Sequence, residues 1–496
     1  MTDLVPVLVA IVPAVPLAGA AVALLARSAR LSDRLAFTTA LLTAAPALVL
    51  AGIALARGGR PALHGHWYLI DGASGVLLAV IAVVGLCSAL LSPAYLRTSS
   101  RSWTTAARSH RLYYAALFVF WAALLAVPIA GNLAVVWLIV EATTAASALL
   151  VAFTGAPNAL EAGWKYLVLT TLGLSVALLG IIVLAISQAN AGHHSLAALD
   201  WYALRLAAHR LPASTTLVAF VLLLAGLATK IGWAPVHNWL PDAHSEAPAP
   251  ISALLSAALL PTVLLVAWRV KQSLQPSIGA GDTRAVFIIF GLASMLVAVP
   301  FLWQSLAWKR LLAYSSLEHM GVIALGIGFG TPLAIAGVVI HVVGHALAKS
   351  LGFYAALPLL RIDPQAAKRA PVGVAGASPS TATAMGVSLA ALAGMPPSPL
   401  FLSELLIVLG GLAAGQLAAS AIAVVALALG FLGLLHALIE GVLGEKPKRR
   451  RLRAQRGQRS TVALTVILGS GLLALFLAGP MLIGTGFIQA LARGSL

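Results

Sequence analysis

Leu167–Ser187 reads LVLTTLGLSVALLGIIVLAIS, twenty-one consecutive residues without a charged side chain. The hydrocarbon core of a bilayer takes about 20 apolar residues of helix to cross, so this stretch is long enough to span it once. A transmembrane barrel would alternate over segments of about ten residues, which a continuous run excludes. Reading outward, 60% of the 496 residues are hydrophobic and only 9% are charged. So little polar surface cannot cover a water-soluble fold. Comparable runs, bounded by charges, Pro or Gly, fall at about 3–27, 33–56, 68–92, 112–130, 132–155, 161–187, 214–240, 248–270, 285–303, 308–330, 331–360, 382–414, 415–443 and 461–492. The expected fold is an all-α polytopic membrane protein of about fourteen spans.

The opening MTDLVPVLVAIVPAVPL has no cationic stretch before its apolar run and is expected to be the first span rather than a removable signal. Cys87 is the one cysteine, so this chain alone builds no disulfide, thiolate-held iron–sulfur cluster or structural zinc. Redox centres are expected on partners, with no cofactor and no metal here. The net charge of +17 needs no nucleic acid to explain it. Most Lys and Arg fall on one set of alternate loops, around Arg27–Arg34, Arg97–Arg111, Lys309 and Arg310, Arg361–Arg369 and the run Lys446–Arg459, which marks that side as cytoplasmic. Both termini then lie outside. His193–Leu211 has apolar residues at helical spacing and is expected to lie on the membrane surface. Arg361–Ser380, charged and then rich in Pro, Gly and Ser, is the clearest linker.

Two long apolar segments are interrupted, one by Pro235, Pro241, Pro248 and Pro250, the other by Gly394, Pro396, Pro397 and Pro399. Each predicts a broken helix, near 233–241 and 394–399. Unwound backbone is tolerated at membrane depth only beside a cavity, and paired breaks point to inverted repeats around an ion path. The expected organisation is a three-helix segment (1–110), two inverted five-helix repeats (111–272 and 280–443), a basic cytoplasmic loop (444–460) and a last helix (461–496).

An ionisable group inside a span costs at least about 2.5–3.5 kcal/mol, so each is a candidate functional residue. Glu141 lies in VVWLIVEATTAASALLVAF, Lys165 in ALEAGWKYLVLT, and Lys230 just before the first break, with His237 inside it. His341, His345 and Lys349 stack at i, i+4 and i+8 on one helix face, and Glu404 follows the second break. Burial favours a lysine's neutral form and a nearby carboxylate favours the charged one, so a Lys–Glu pair that opens and closes gates a proton. Histidines between such sites can relay it. Spacing leaves open whether Glu141 partners Lys165 or Lys230. Haem or metal at the His341/His345 face would require an opposing histidine, or a nearby carboxylate or third histidine. Glu318 and His319 are read either as site residues or as helix-end residues, and Asp242 and His244 as lining an ion mouth or satisfying the break's backbone.

These motifs, from about Arg111 to Arg459, resemble the proton-conducting antiporter-type subunits of respiratory complex I, multi-subunit sodium/proton antiporters and group 4 [NiFe] hydrogenases, including formate hydrogenlyase. They are WLIVEATT, WKYL, KIGWAPVHNWLPDAHSEAPAPISALLS, KRLLAYSSLEHMG, HVVGHALAKSLGF and GMPPSPLFLSELL. EATTAASALLVAF, ALEAGWKYL and SLEHMG are most similar to the hydrogenase type. The resemblance implies that Glu141 and Lys230 are the gating pair, that Lys165 matches a family lysine on the preceding helix, that His341, His345 and Lys349 form the central axis, and that Glu404 ends the second half-channel. Where the family has a histidine and lysine after LPDA, this chain has SAALLPTVL, placing Ser256 and Thr262 there. Water or hydroxyls would then bridge the first half-channel to the axis. The chain ends soon after the last span, without the lateral helix of the largest complex I subunit of this type.

The expected function is a proton-translocating membrane-arm subunit of a redox-driven complex in a bacterial inner membrane, without catalytic chemistry of its own. Its partners would be other membrane-arm subunits and a peripheral module carrying Fe–S and [NiFe] or quinone-reductase-like centres. Two alternatives share the scaffold: a proton-driven inorganic-carbon uptake system with a soluble, carbonic-anhydrase-like zinc partner, and a sodium/proton antiporter subunit. Sodium would favour a carboxylate cluster with carbonyls, whereas Lys and His dominate here.

Overall fold

The computed structural model describes residues 4–58, 61, 63–65, 67–97, 107–362, 373–376, 378–444 and 458–494. Much of the Arg97–Arg111, Arg361–Ser380 and Lys446–Arg459 segments lies outside the described residues, including most of the 444–460 loop. The chain folds into α1 (Leu4–Leu25), α2 (Ala29–Ala56), a two-residue antiparallel pairing of β1 (Leu63–His64) with β2 (Leu69–Ile70), and α3 (Gly72–Leu96). Next come α4 (Ala107–Ala126), α5 (Leu133–Val151), α6 (Pro157–Asn190), α7 (Trp201–Ala207), α8 (Ala213–Ile231), α9 (Trp239–Glu246) and α10 (Ala249–Leu254). The second half holds α11 (Leu260–Ile278), α12 (Ala280–Leu302), α13 (Trp308–Phe329), α14 (Pro332–Ile362), α15 (Pro379–Leu392), α16 (Pro399–Ala413), α17 (Leu417–Ala437), α18 (Gln458–Ala478) and α19 (Gly486–Arg493).

Thirteen helices among the described residues are long and apolar enough to cross a membrane. The expected span at 382–414 is not one of them, because it is broken into α15 and α16. The His193–Leu211 stretch also differs from a single surface helix. It forms the seven-residue α7 between two short 3₁₀ turns, anchored inward by Trp201, whose indole donates to the Ala130 carbonyl at 3.1 Å.

Burial runs from lipid to core. Leu138, Leu172 and Ile467 are more than three-fifths exposed, as lipid-facing residues are. In contrast, the most apolar stretches of α13 and of Ala249–Ile278 are entirely buried. Of the buried ionisable residues, α13 carries Lys309, Glu318 and His319, and its neighbour α14 carries His341, His345 and Lys349. Helices close up through small residues, as membrane bundles do. A Cβ on Gly291 of α12 would meet the Gly321 carbonyl of α13 at 2.9 Å, and one on Gly321 would meet that of Gly291 at 2.7 Å.

Both breaks fall within the proline-rich stretches. α8 ends at Gly232 in left-handed conformation (φ +79°) and the chain runs non-helically to α9. α15 ends before Gly394 (φ +70°) and α16 starts at Pro399. Freed backbone must be paired in a bilayer. At the first break, the Trp239 indole donates to the Thr229 carbonyl at 2.6 Å, Ser294 Oγ accepts from the Ala234 N–H at 3.0 Å, and Ser252 Oγ donates to the His244 carbonyl at 2.8 Å. At the second, Ser398 Oγ donates to the Ala391 carbonyl at 3.0 Å and accepts from the Leu400 N–H at 3.1 Å.

Candidate functional site

Lys230, in the last turn of α8, is fully buried. Its Nζ donates to Thr144 Oγ1 of α5 at 2.9 Å and to the Tyr166 hydroxyl of α6. Tyr166 also bonds Ser147 Oγ at 2.7 Å and packs its ring 4.7 Å from that of Trp239. Glu141 sits one turn before Thr144 on α5. One of its oxygens accepts from Thr171 Oγ1 at 2.7 Å, and the other is buried without a hydrogen-bond partner among the described residues. Glu141 and Lys230 make no ion pair within 4 Å, yet the Glu141 carboxylate is the charge acting on the ammonium. The structure thus sets Lys230, not Lys165, beside Glu141, with Thr144 and Tyr166 as direct contacts of the lysine.

Lys165 was expected inside a span. It is instead 46% exposed, paired with Glu161 at 2.6 Å and with Asp242 at 3.6 Å. α6 has 34 residues, roughly 50 Å at 1.5 Å per residue, so its ends outreach a hydrocarbon core of about 30 Å. Asp242 also takes Arg310 at 2.8 Å. It therefore ties α6, α9 and α13 together in an ion-pair cluster at the mouth of the break.

Lys309, placed in a cytoplasmic loop by charge alone, is 6% exposed. Its Nζ donates to the Ser245 carbonyl at 2.7 Å and to that of Ala247, satisfying the C-terminal carbonyls of α9. His237 is half-buried in the break. His244 is fully buried on α9, its ring stacked 5.4 Å from Phe353 of α14. The charges it faces are Lys349 and Lys309, and His345 lies in the same field.

The central cluster joins α13, α14 and α16. His319 Nδ1 and His341 Nε2 are 3.1 Å apart, and His341 Nδ1 lies 2.9 Å from Ser403 Oγ. The His345 ring is 5.3 Å from that of His319. Lys349 Nζ donates to the Leu312 carbonyl at 2.6 Å and to Ser315 Oγ, with the Glu318 carboxylate as the charge acting on it. Glu318 and His319 are 3% and 1% exposed, in the middle of α13. The helix-end reading of this pair is therefore corrected: α13 starts at Trp308, three turns earlier. Glu404, at the start of α16, lays a carboxylate oxygen where a Cβ on Gly394 would come within 2.6 Å of it.

Thr262 does not reach across to the axis, since its hydroxyl donates to the Ala258 carbonyl at 2.7 Å on its own helix. Ser256 does reach, meeting Ser316 Oγ of α13 at 2.8 Å from a π-helical turn, Leu255–Leu259. Such turns recur where a helix is distorted for function. Tyr166, Thr144, Ser315 and Ser403 are site contacts that charge counting missed. Their only signal was position: Thr144 and Ser147 fall at i+3 and i+6 from Glu141.

Residues 130–430, which hold every buried lysine and acid described above, match the family described as NADH:quinone oxidoreductase/Mrp antiporter, transmembrane. The chain is 32% identical over 420 residues to the hydrogenase-4 component F homolog of Methylacidiphilum infernorum, covering 84% of this chain and 85% of that one. It is 29% identical over 439 residues to NADH-quinone oxidoreductase subunit N of Desulforudis audaxviator, covering 84% and 82%. Its fold matches a chain of the Mrp complex from Dietzia sp. DQ12-45-1b with a TM-score of 0.82, at 22% identity and covering 99% and 97% of the two chains. The match thus spans both broken helices and the polar residues between them, and the chain belongs to the NADH:quinone oxidoreductase/Mrp antiporter family of polytopic membrane subunits.

Proposed function

We propose that this chain moves protons across the membrane as an antiporter-like membrane-arm subunit of a redox-driven complex, of the group 4 hydrogenase or NADH–quinone oxidoreductase kind. The observation that carries this reading is the direct imidazole contact between His319 and His341 inside wholly or largely buried helices, flanked by Lys349 and Glu318. Neutral histidines in contact can pass a proton, and a buried lysine with a carboxylate in range can hold or release one.

Glu141 and Lys230 form the first gate. Approach of the carboxylate stabilises the ammonium and withdrawal releases its proton, while Thr144 and Tyr166 keep Nζ aimed. His244 supplies the titratable step between this gate and the axis that Thr262 does not, and Ser256 with Ser316 lines the same crossing. His345, His341, His319 and Lys349 carry the proton on, with Glu404 at the second break as the far end. His237, half-buried in the first break, is placed at the near mouth. The two halves, 111–272 and 280–443, are read as inverted repeats because each holds one broken helix.

The names of the two curated relatives support membrane-arm partners and a peripheral redox module in the inner membrane of a bacterium, and the excess of Lys and Arg on alternate loops favours both termini outside. The test is extraction of the complex from native membranes in mild detergent and mass spectrometry of what co-purifies. Iron–sulfur and [NiFe] or quinone-reductase-like subunits are expected. A lone soluble zinc protein would overturn the redox reading in favour of inorganic-carbon uptake, and sodium-dependent transport by the reconstituted complex would overturn it in favour of sodium/proton exchange.

A further inference from the structure

We infer that His319, His341 and Glu404 form a binding site for a divalent transition-metal ion of the zinc class where α13, α14 and α16 meet, with both histidines buried and Glu404 partly exposed. Each residue offers one ligand atom, and these atoms lie within 4.8 Å of one another. Two imidazoles and a carboxylate are a donor set that zinc accepts, with the fourth position left to water. His319 Nδ1 and His341 Nε2 already stand 3.1 Å apart. Two ligands on one tetrahedral zinc, with bonds of about 2.1 Å, stand roughly 3.4 Å apart, so the separation of this pair already fits, each ring needs only to tip its lone pair toward the shared ion, and the carboxylate moves in by up to roughly 1.4 Å.

The hydrogen bonds around the histidines prepare the site. Ser403 Oγ donates to the Leu400 carbonyl at 2.8 Å, so it accepts from His341 Nδ1–H. That bond fixes the tautomer of His341 and leaves its Nε2 with a free lone pair directed at His319. A second-shell partner on the far nitrogen is what metal-ligating histidines carry. Without metal, His319 Nδ1–H fills the same lone pair. A metal takes that proton's place, and the proton is accommodated at His319 Nε2, which is buried without a partner among the described residues. The His345 ring lies 5.3 Å from that of His319, and neither of its nitrogens has a hydrogen-bond partner among the described residues. Imidazoles select zinc-like ions over magnesium or calcium. A bound ion occupies the lone pairs through which a proton would pass, so it also stops transfer. That consequence rests on the proton reading, whereas the binding does not.

The test titrates the intact complex, in detergent and free of chelator, with Zn2+ by calorimetry and with Co2+ by visible absorption. One Zn2+ per chain is expected, together with tetrahedral Co2+ bands. His341→Gln and Glu404→Gln should each weaken binding by at least about tenfold and remove the bands. Unchanged affinity in both variants overturns the site. Should either variant fail to fold, Ser403→Ala keeps all three ligands and removes only the hydroxyl orienting His341. Its affinity should fall by about tenfold or more, and no change overturns the site equally. Proton flux is read separately. Saturating Zn2+ without loss of flux, in a complex that conducts without metal, overturns the block, whereas no flux without metal overturns the proton reading instead.

Discussion

Glu141 holds Thr171 with one oxygen and leaves the other buried without a partner among the described residues, which suits a carboxylate that moves. Glu141→Gln keeps the acceptor for Thr171 and removes the charge acting on Lys230. Proton flux in proteoliposomes, followed with a pH-sensitive dye, should fall by at least about a hundredfold, the scale of losing one proton-transfer group, while the melting temperature stays within a degree or two. Normal flux would remove Glu141 from the mechanism. Tyr166→Phe is the complementary case. The ring against Trp239 remains, but Lys230 and Ser147 both lose a partner. Leaving a buried polar group unsatisfied costs about 1–3 kcal/mol, so this variant should melt lower as well as conduct less. Flux and a thermal melt on the same sample check both effects, and a variant with wild-type values in both would show that Thr144 suffices to hold the lysine.

At the scale of elements, the two breaks and the buried charges of the central axis were legible because a membrane chain cannot hide them: clustered Pro and Gly interrupt a helix, and each ionisable group interrupts an apolar run. Hydroxyl residues such as Ser403 and Tyr166 gave no such signal, since Ser, Thr and Tyr are common in spans and only packing decides what they face. Lys309 was misjudged for a related reason. Its charge fitted the loop pattern, but its long side chain turns inward to the carbonyls of Ser245 and Ala247. Lys309→Met should therefore destabilise the break by about 1–3 kcal/mol, with a clear drop in melting temperature, whereas Arg310→Met, at the 42% exposed neighbour, should shift it little. Equal effects would show that the cap is dispensable. The crossing to the central axis gives a second contrast. His244→Gln should cut flux by at least about tenfold, and Thr262→Ala should leave it unchanged because that hydroxyl serves its own helix. The reverse ranking in the same dye assay would return the bridge to the position after LPDA.

Across the whole molecule, the N-terminal helices are clamped to the channel core by buried polar bonds as well as by apolar packing. Ser88 of α3 donates to the Pro250 carbonyl at 2.9 Å, and Arg269 of α11 pairs with Asp71 at 3.0 Å, with Ser74 at 2.7 Å and with the Pro128 carbonyl at 3.3 Å. Asp71 also caps α3, accepting from the Ser74 N–H at 2.7 Å. With both partners almost wholly buried, their desolvation offsets much of their attraction, so the pair need add little net stability. Removing one side alone is different: Arg269→Met strands the Asp71 carboxylate without its counter-charge, which costs about 3–5 kcal/mol. The double variant Asp71→Asn/Arg269→Met removes that stranded charge and should recover much of the loss, while Asp71→Asn alone should be nearly as harmful as Arg269→Met. Melting of the four proteins in one detergent measures the coupling directly. Additive losses would mean that the clamp is two independent contacts, whereas recovery in the double variant would make it a single ion pair locking the N-terminal segment to the helix that leaves the first break.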